Sequence, residues 1–246
     1  MRTSYSDEKG LLLAIDCIIF GFDGEELKLL AIQRGFEPYK GEWSLLGGFV
    51  KPDESIEDAA NRVLKDLTGL EGIYLEQMHV FSNPKREDKK RIVSVAVFAL
   101  IDIQKYQRQI HEEYHPQWYS INELPHLIID HNDMINMAKE RLRYKAALHP
   151  LLFELLPDKF TIPQLQHLYE EVYNDTFDKG NFSKKILSTG LLVKLKEKDK
   201  LSSKKGAFYY KVDKKKYSAG FKSFLNFVHK PTLVERAVHE LSPVAQ

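Results

Sequence analysis

Between Gly48 and Leu70 the chain reads GFVKPDESIEDAANRVLKDLTGL, a segment whose acids, arginine and glycines could serve phosphate chemistry. Mg²⁺ is a hard cation that takes oxygen ligands in near-octahedral geometry, and two-metal chemistry on a diphosphate needs several carboxylates converging on one place. The segment has acids at both ends but lacks that convergence. Glu54, Glu57 and Asp58 stand near its start and Asp66 near its end, whereas Val63 and Leu67 offer no ligand atom. Two readings follow: Asp66 and Glu54 keep one weak metal contact, or they only cap, solvate and hydrogen-bond. The second asks for less, and the expectation is therefore no catalytic residue, no metal and no cofactor.

The elements that must position these residues are legible nearby. Ile56, Ala59, Ala60, Val63, Leu64 and Leu67 recur at helical spacing. Ser55 with Asp58 three residues on is an N-cap signal, and Gly69 suits the stop after the last turn. Leu11 to Phe20 and Leu27 to Gln33 are β-rich runs joined by the hairpin chemistry of Gly21-Phe22-Asp23-Gly24. Trp43 to Phe49 is a short run into the segment, and Ile73 to Phe81 and Ile92 to Ile101 read as strands around the polar loop Ser82 to Arg91. Asn132 to Arg143 carries Met134, Ile135, Ala138 and Leu142 on one helical face. Strands enclosing a helix and followed by another predict an α/β/α sandwich.

The spacing Gly48, Glu54, Arg62, Leu64, Gly69 and Leu70 is similar to a Nudix box. The likeness extends to Gly41-Glu42-Trp43-Ser44-Leu45-Leu46-Gly47-Gly48, which resembles the family's lead-in with Leu46 in place of proline, and to Trp118-Tyr119-Ser120 through Leu124-Pro125. In active members three glutamates of the box hold the metal. This chain has Val63, Asp66 and Leu67 at those places, so the resemblance implies a Nudix domain that is not an enzyme.

After Pro150 the pattern changes, giving expected domains of residues 1–150 and 151–246. Thr161 can cap a helix carrying Leu165, Leu168, Tyr169, Val172 and Tyr173, and a polar turn separates it from Asn181 to Thr189. Asn181, Ser183, Lys184, Lys185 and Ser188 form a polar face that mixes phosphate donors with groups able to reach base edges. Leu191 to Lys196 and Ala207 to Val212 read as a wing whose tip holds Lys204 and Lys205. Residues 181–230 contain 14 Lys against three acids, a local formal charge of +11 in a chain whose net charge is +1, so the remainder carries −10. Such asymmetry points to a basic module for a polyanion. The candidate DNA contacts are Thr161, Asn181, Ser183, Lys184, Lys185, Ser188, Lys204 and Lys205. Cys17, the single cysteine, excludes a disulfide framework, and no leader-like segment or uncharged apolar run approaches the roughly 20 residues that span a bilayer, so a cytoplasmic location away from membranes is expected.

Phe153-Glu154-Leu155-Leu156-Pro157, Gln164 to Glu170 and Asp178 to Ile186 together resemble the signature of Nudix-related transcriptional regulators of the NrtR/AraR type. That resemblance implies an α+β chain with an N-terminal Nudix sandwich followed by a C-terminal winged helix-turn-helix. It also implies a homodimer that releases operator DNA, as a repressor does, according to a small effector. Within the group the sequence looks most like the arabinose-responsive members of Bacteroidetes, so the expected effector is L-arabinose. The alternatives are an ADP-ribose-sensing regulator and a hydrolase of nucleoside diphosphate derivatives. A sugar needs aromatic faces and charged or amide partners for its hydroxyls. Asp16, Arg34, Tyr39, Glu42, Trp43 and Trp118 supply those types where Nudix substrates usually sit, and Lys85, Arg86, Lys89, Lys90 and Arg91 form a basic loop that could grip phosphates instead.

Overall fold

The computed structural model describes residues 10–108, 110, 114–200 and 206–217, and it divides into two compact units. The first holds Lys28–Ala99 and Tyr106–Arg141 with the described residues of 1–20; the second holds Gly21–Leu27, Leu100–Lys105 and the described residues from 142 onward.

The elements of the first half run β1 (Leu12–Phe22), β2 (Leu27–Gln33), β3 (Trp43–Ser44), β4 (Leu46–Phe49), α1 (Ile56–Thr68), β5 (Glu76–Phe81), β6 (Ile92–Asp102), α2 (Ile103–Tyr106), β7 (Gln117–Ser120) and α3 (His131–Leu148). Their strands make one sheet in the order β3-β2-β1-β6-β5, with β4 also on β1 and β7 on β2. Side chains alternate across a strand, and β1 shows what each face meets. Cys17 donates its thiol toward the Ala60 carbonyl of α1 at 3.9 Å, and burial pushes its pKa well above the ordinary thiol value. Asp16, on the opposite face, lies 3.5 Å from His131 at the start of α3. The expected sandwich is therefore present, with α1 on one side of the sheet and α3 on the other.

α1 forms as its sequence dictates. Ser55 and Asp58 make a reciprocal capping box, and Gly69 adopts φ 80° at the C-cap. Ala59, Ala60, Val63 and Leu64 are its buried apolar residues. Gly48 is required by contact: a Cβ there would meet Val63 Cγ2 at 2.7 Å. Gly48→Ala is expected to cost about 1–3 kcal/mol by overpacking, and Val63→Ala in the same chain to recover part of that loss. Urea midpoints of the single and double variants check this.

The second half continues as a 3₁₀ turn (Leu151–Leu155), β8 (Phe160–Thr161), α4 (Ile162–Tyr173), α5 (Lys179–Ser188), β9 (Leu192–Asp199) and β10 (Ala207–Val212), with the strands ordered β8-β10-β9. Its core gathers Leu152, Leu155, Phe160, Leu165, Leu168 and Val172, all buried. Within this unit the turn after β1 meets α4: the Leu27 amide donates to Glu171 (3.4 Å), the His167 ring bonds the Glu25 carbonyl, and the Phe22 and His167 rings stand 6.3 Å apart. A helix-turn-helix with a wing, as expected, is the result.

Several boundaries moved. β5 begins at Glu76 rather than Ile73, and α3 runs on to Leu148 beyond Arg143. β9 extends past Lys196 to Asp199, because Lys194, Lys196 and Lys198 alternate with Val193, Leu195 and Glu197 in strand period. The connector expected after Pro150 is the 3₁₀ turn.

Candidate functional site

The polar centre of the first unit is a buried cluster built around Asp16. Its Oδ2 accepts from Ser94 Oγ at 2.5 Å and lies 3.8 Å from Arg86, while its Oδ1 faces His131 Nε2 at 3.5 Å. Arg86 reaches in from the β5–β6 loop with a side chain only 4% exposed, and donates two bonds to Asp130, at 2.8 and 2.6 Å. Gly47 is packed against the cluster, since a Cβ there would meet Asp16 Oδ1 at 2.5 Å. His131 Nδ1 accepts the Leu45 amide at 3.1 Å, so the neutral ring carries its proton on Nε2, toward Asp16.

Burial holds the His131 pKa below the ordinary value of 6.5, outweighing the opposing pull of Asp16. An unfolded histidine takes up its proton near that ordinary value while the folded ring stays neutral to lower pH. The unfolded state then binds more protons, so the stability from neutral His131 is complete above 6.5 and falls as pH drops below it. Wild type is expected to lose more of its urea midpoint between about pH 7 and about pH 5 than His131→Gln, whose amide oxygen can still accept the Leu45 bond. Urea unfolding at a series of pH values checks it.

The loop after β2 carries Arg34, Tyr39 and Glu42, and Trp43 opens β3. Arg34 donates to the Pro38 carbonyl at 2.9 Å and its guanidinium lies 4.3 Å over the Phe36 ring. Desolvation lowers its pKa, opposed by the charges of Asp16, Glu87 and Tyr39. Tyr39, with φ 67°, donates to buried Glu87 at 3.3 Å, and the Lys89 ammonium lies 5.9 Å from the Tyr39 ring. Glu42 is exposed, and its backbone carbonyl accepts from the Arg34 amide. Trp43 meets Tyr119 edge-on at 5.0 Å.

Two expectations for this region need correction. Asp16 does not line an open pocket; it is 6% exposed and both carboxylate oxygens are engaged. Trp118 does not share a wall with Trp43: Tyr119 opposes Leu29 and Trp118 opposes Leu30, so strand alternation turns Trp118 to the face away from Tyr119 and Trp43. Its indole N–H is buried without a hydrogen-bond partner among the described residues. The basic loop is also less available than its composition implied. Arg86 is held by Asp130, and Arg91 donates to the carbonyls of Ser82, Asn83 and Ile92. Lys85, Lys89 and Lys90 are exposed.

In the Nudix-like segment one arginine engages acids from both ends. Arg62 donates to both oxygens of Glu54, at 2.8 and 2.6 Å, and to the Phe49 carbonyl, and lies 3.7 Å from Asp66. The Arg62 bond holds the Glu54 pKa down to about 2, so Glu54 is ionised and already paired. Val63 is buried against Gly48. Among the described residues no group of three or more His, Cys, Asp or Glu could hold a metal ion.

In the second unit, α5 presents Asn181, Lys184, Lys185 and Ser188 exposed and Ser183 half-buried. None of its residues is buried; Phe182 anchors it, edge-on to Tyr169 at 5.5 Å. Thr161 is a correction. It is 1% exposed and its hydroxyl accepts the Gln164 amide as the N-cap of α4, which removes that side chain from any DNA surface. Lys204 and Lys205 lie outside the described residues. Strand β9 adds a feature not anticipated: Lys194 and Lys198 share one face, their ammoniums 3.7 and 4.4 Å from the Phe208 ring. Lysine at every second position was the signal for it. No helix among the described residues is long and apolar enough to cross a membrane.

Residues 10–140 match the NUDIX domain, and residues 152–212 match the NrtR DNA-binding winged helix domain. The chain is 32% identical over 226 residues to the ADPR responsive transcriptional repressor NtrR of Acinetobacter baylyi, covering 90% of each chain. It is 32% identical over 133 residues to the ADP-ribose pyrophosphatase of Methanocaldococcus jannaschii, covering 54% of this chain and 74% of that one. The crystal structure of Shewanella oneidensis NrtR complexed with a 27mer DNA aligns with a TM-score of 0.72 at 29% identity, over 84% of this chain and 95% of that chain.

Proposed function

Because the chain belongs to the Nudix-related transcriptional regulators of the NrtR type, we propose that it is a homodimeric repressor in the cytoplasm whose residues 151–246 grip operator DNA and whose residues 1–150 sense ADP-ribose without hydrolysing it. The observation that carries the DNA reading is α5, a helix with no buried residue and an outward face of Asn181, Lys184, Lys185 and Ser188. Amide and hydroxyl groups on such a face can meet base edges while the lysines meet phosphates. The lysine face of β9 adds to the same charge, and like charges side by side on a strand are a cost that a polyanion relieves.

ADP-ribose replaces L-arabinose as the effector in this reading. The two relatives from Acinetobacter and Methanocaldococcus bear ADP-ribose in their names, and neither bears arabinose. The chemistry around Tyr39 is consistent with it. The guanidinium of Arg34, which makes no ion pair among the described residues, and the Lys89 ammonium suit a diphosphate. The absence of hydrolysis in this reading is supported by Val63 and Leu67, which bring no ligand atom to the box. Fluorescence anisotropy of the full chain on a duplex from its own upstream region, against a scrambled duplex, tests the DNA reading; equal affinity for both overturns it. An assay for AMP and ribose 5-phosphate formed from ADP-ribose with Mg²⁺ or Mn²⁺ is expected to show no turnover, and robust turnover would restore the hydrolase reading.

A further inference from the structure

The recognition helix has an unusual attachment. α5 buries none of its residues, so core packing does not by itself fix its direction. The turn before it is instead gripped by α4. After Asn174 ends α4 in the left-handed conformation (φ 52°), the chain comes back to two side chains one turn apart on α4. Gln166 Nε2 donates to the Phe177 carbonyl at 2.8 Å, and the Phe177 amide donates to Glu170 Oε1 at 3.0 Å. Gln166 Nε2 also donates to that same Glu170 oxygen at 2.9 Å. Both hydrogens of the Gln166 amide are thus committed, which fixes its orientation. Gln166 is 5% exposed, a buried polar group among the apolar residues of α4. The next residue after Phe177, Asp178, is the N-cap of α5 and accepts the Asn181 amide at 2.8 Å.

We propose that Gln166 and Glu170 are positioning residues for sequence recognition: by holding both backbone groups of Phe177 they aim α5, and with it Asn181 and the lysines, at the bases. This rests on the DNA reading above. The two helices are amphipathic enough to form without the clamp, so its loss leaves α5 present but free to swing. Phosphate contacts tolerate such motion, whereas a bidentate base contact does not.

The test compares the full chain carrying Gln166→Leu, Glu170→Ala or Glu170→Gln on the upstream and scrambled duplexes at several salt concentrations. Gln166→Leu and Glu170→Ala are expected to cut the ratio of specific to non-specific affinity about tenfold or more, leaving the non-specific affinity and its salt slope unchanged. Amide exchange of the α5 backbone should rise in the same variants. Glu170→Gln keeps the accepting oxygen and should behave as wild type. An unchanged ratio overturns the proposal, and so does a parallel fall of specific and non-specific binding, which would mean the unit has simply lost its structure. If Gln166→Leu fails to fold, half-exposed Glu170→Ala decides the matter alone. A wild-type chain that does not distinguish the two duplexes refutes the DNA reading itself, and this inference with it.

Discussion

Arg86→Met is expected to destabilise the first unit by about 3–5 kcal/mol, among the larger effects of any single substitution in the chain. Removing the guanidinium leaves Asp16 and Asp130 near each other without a cation. Asp16 is 6% exposed and cannot recover the loss through water. The Asp130 side chain is 19% exposed and recovers part of it, which places the effect toward the lower end of that range. Burial of a paired charge is weak evidence of net stabilisation, but breaking such a pair from one side is costly. Asp130→Asn combined with Arg86→Met should therefore cost less than the two single changes added together. The chain has two tryptophans, Trp43 and Trp118, and both fall in the first unit, so urea unfolding followed by tryptophan fluorescence reports on this unit. Additive effects would mean that Arg86 and Asp130 do not act as a pair.

The second large effect concerns DNA. Replacing Lys184 and Lys185 together by Ala is expected to lower the slope of log affinity against log salt by about 1.8, because each phosphate deprived of its lysine lowers it by about 0.9. The fall should be similar on upstream and scrambled duplexes, because phosphates carry no sequence information directly. Asn181→Ala should behave differently. It is expected to relax preference at one base position by about 1–3 kcal/mol and to leave the salt slope unchanged. An unaltered slope in the double lysine variant would remove α5 from the phosphate backbone.

Much of the fold could be read in the residues because local and tertiary preferences agree there. Ser55, Asp58 and Gly69 bound α1 as their chemistry requires, and the β-rich run from Leu11 to Phe20 forms β1, buried from Ile15 onward. The site was less legible. Asp16 was an expected effector contact because a sugar needs charged partners for its hydroxyls, but its partners Ser94, Arg86 and His131 stand at least 70 residues away in the chain, as the 78-residue separation from Ser94 shows. Arg86 sat in a loop whose composition suggested solvent, and only the tertiary arrangement shows it turned inward to Asp130. Thr161 carried a correct capping signal and an incorrect DNA role, since the hydroxyl that caps a buried helix start has no exposure left. Gln166 gave no periodic signal, because a single buried amide inside an apolar stripe differs little from a surface one until its partner Phe177 is placed.

The most direct measurement is the anisotropy of the labelled upstream duplex, bound to the full chain and titrated with ADP-ribose and separately with L-arabinose. A ligand can shift the balance between bound and free DNA only by its differential affinity for the two states, with about 1–3 kcal/mol typical of such coupling. ADP-ribose is expected to weaken duplex binding about 5- to 150-fold while L-arabinose leaves it unchanged. Duplex affinity indifferent to ADP-ribose, or released by L-arabinose alone, would contradict the account.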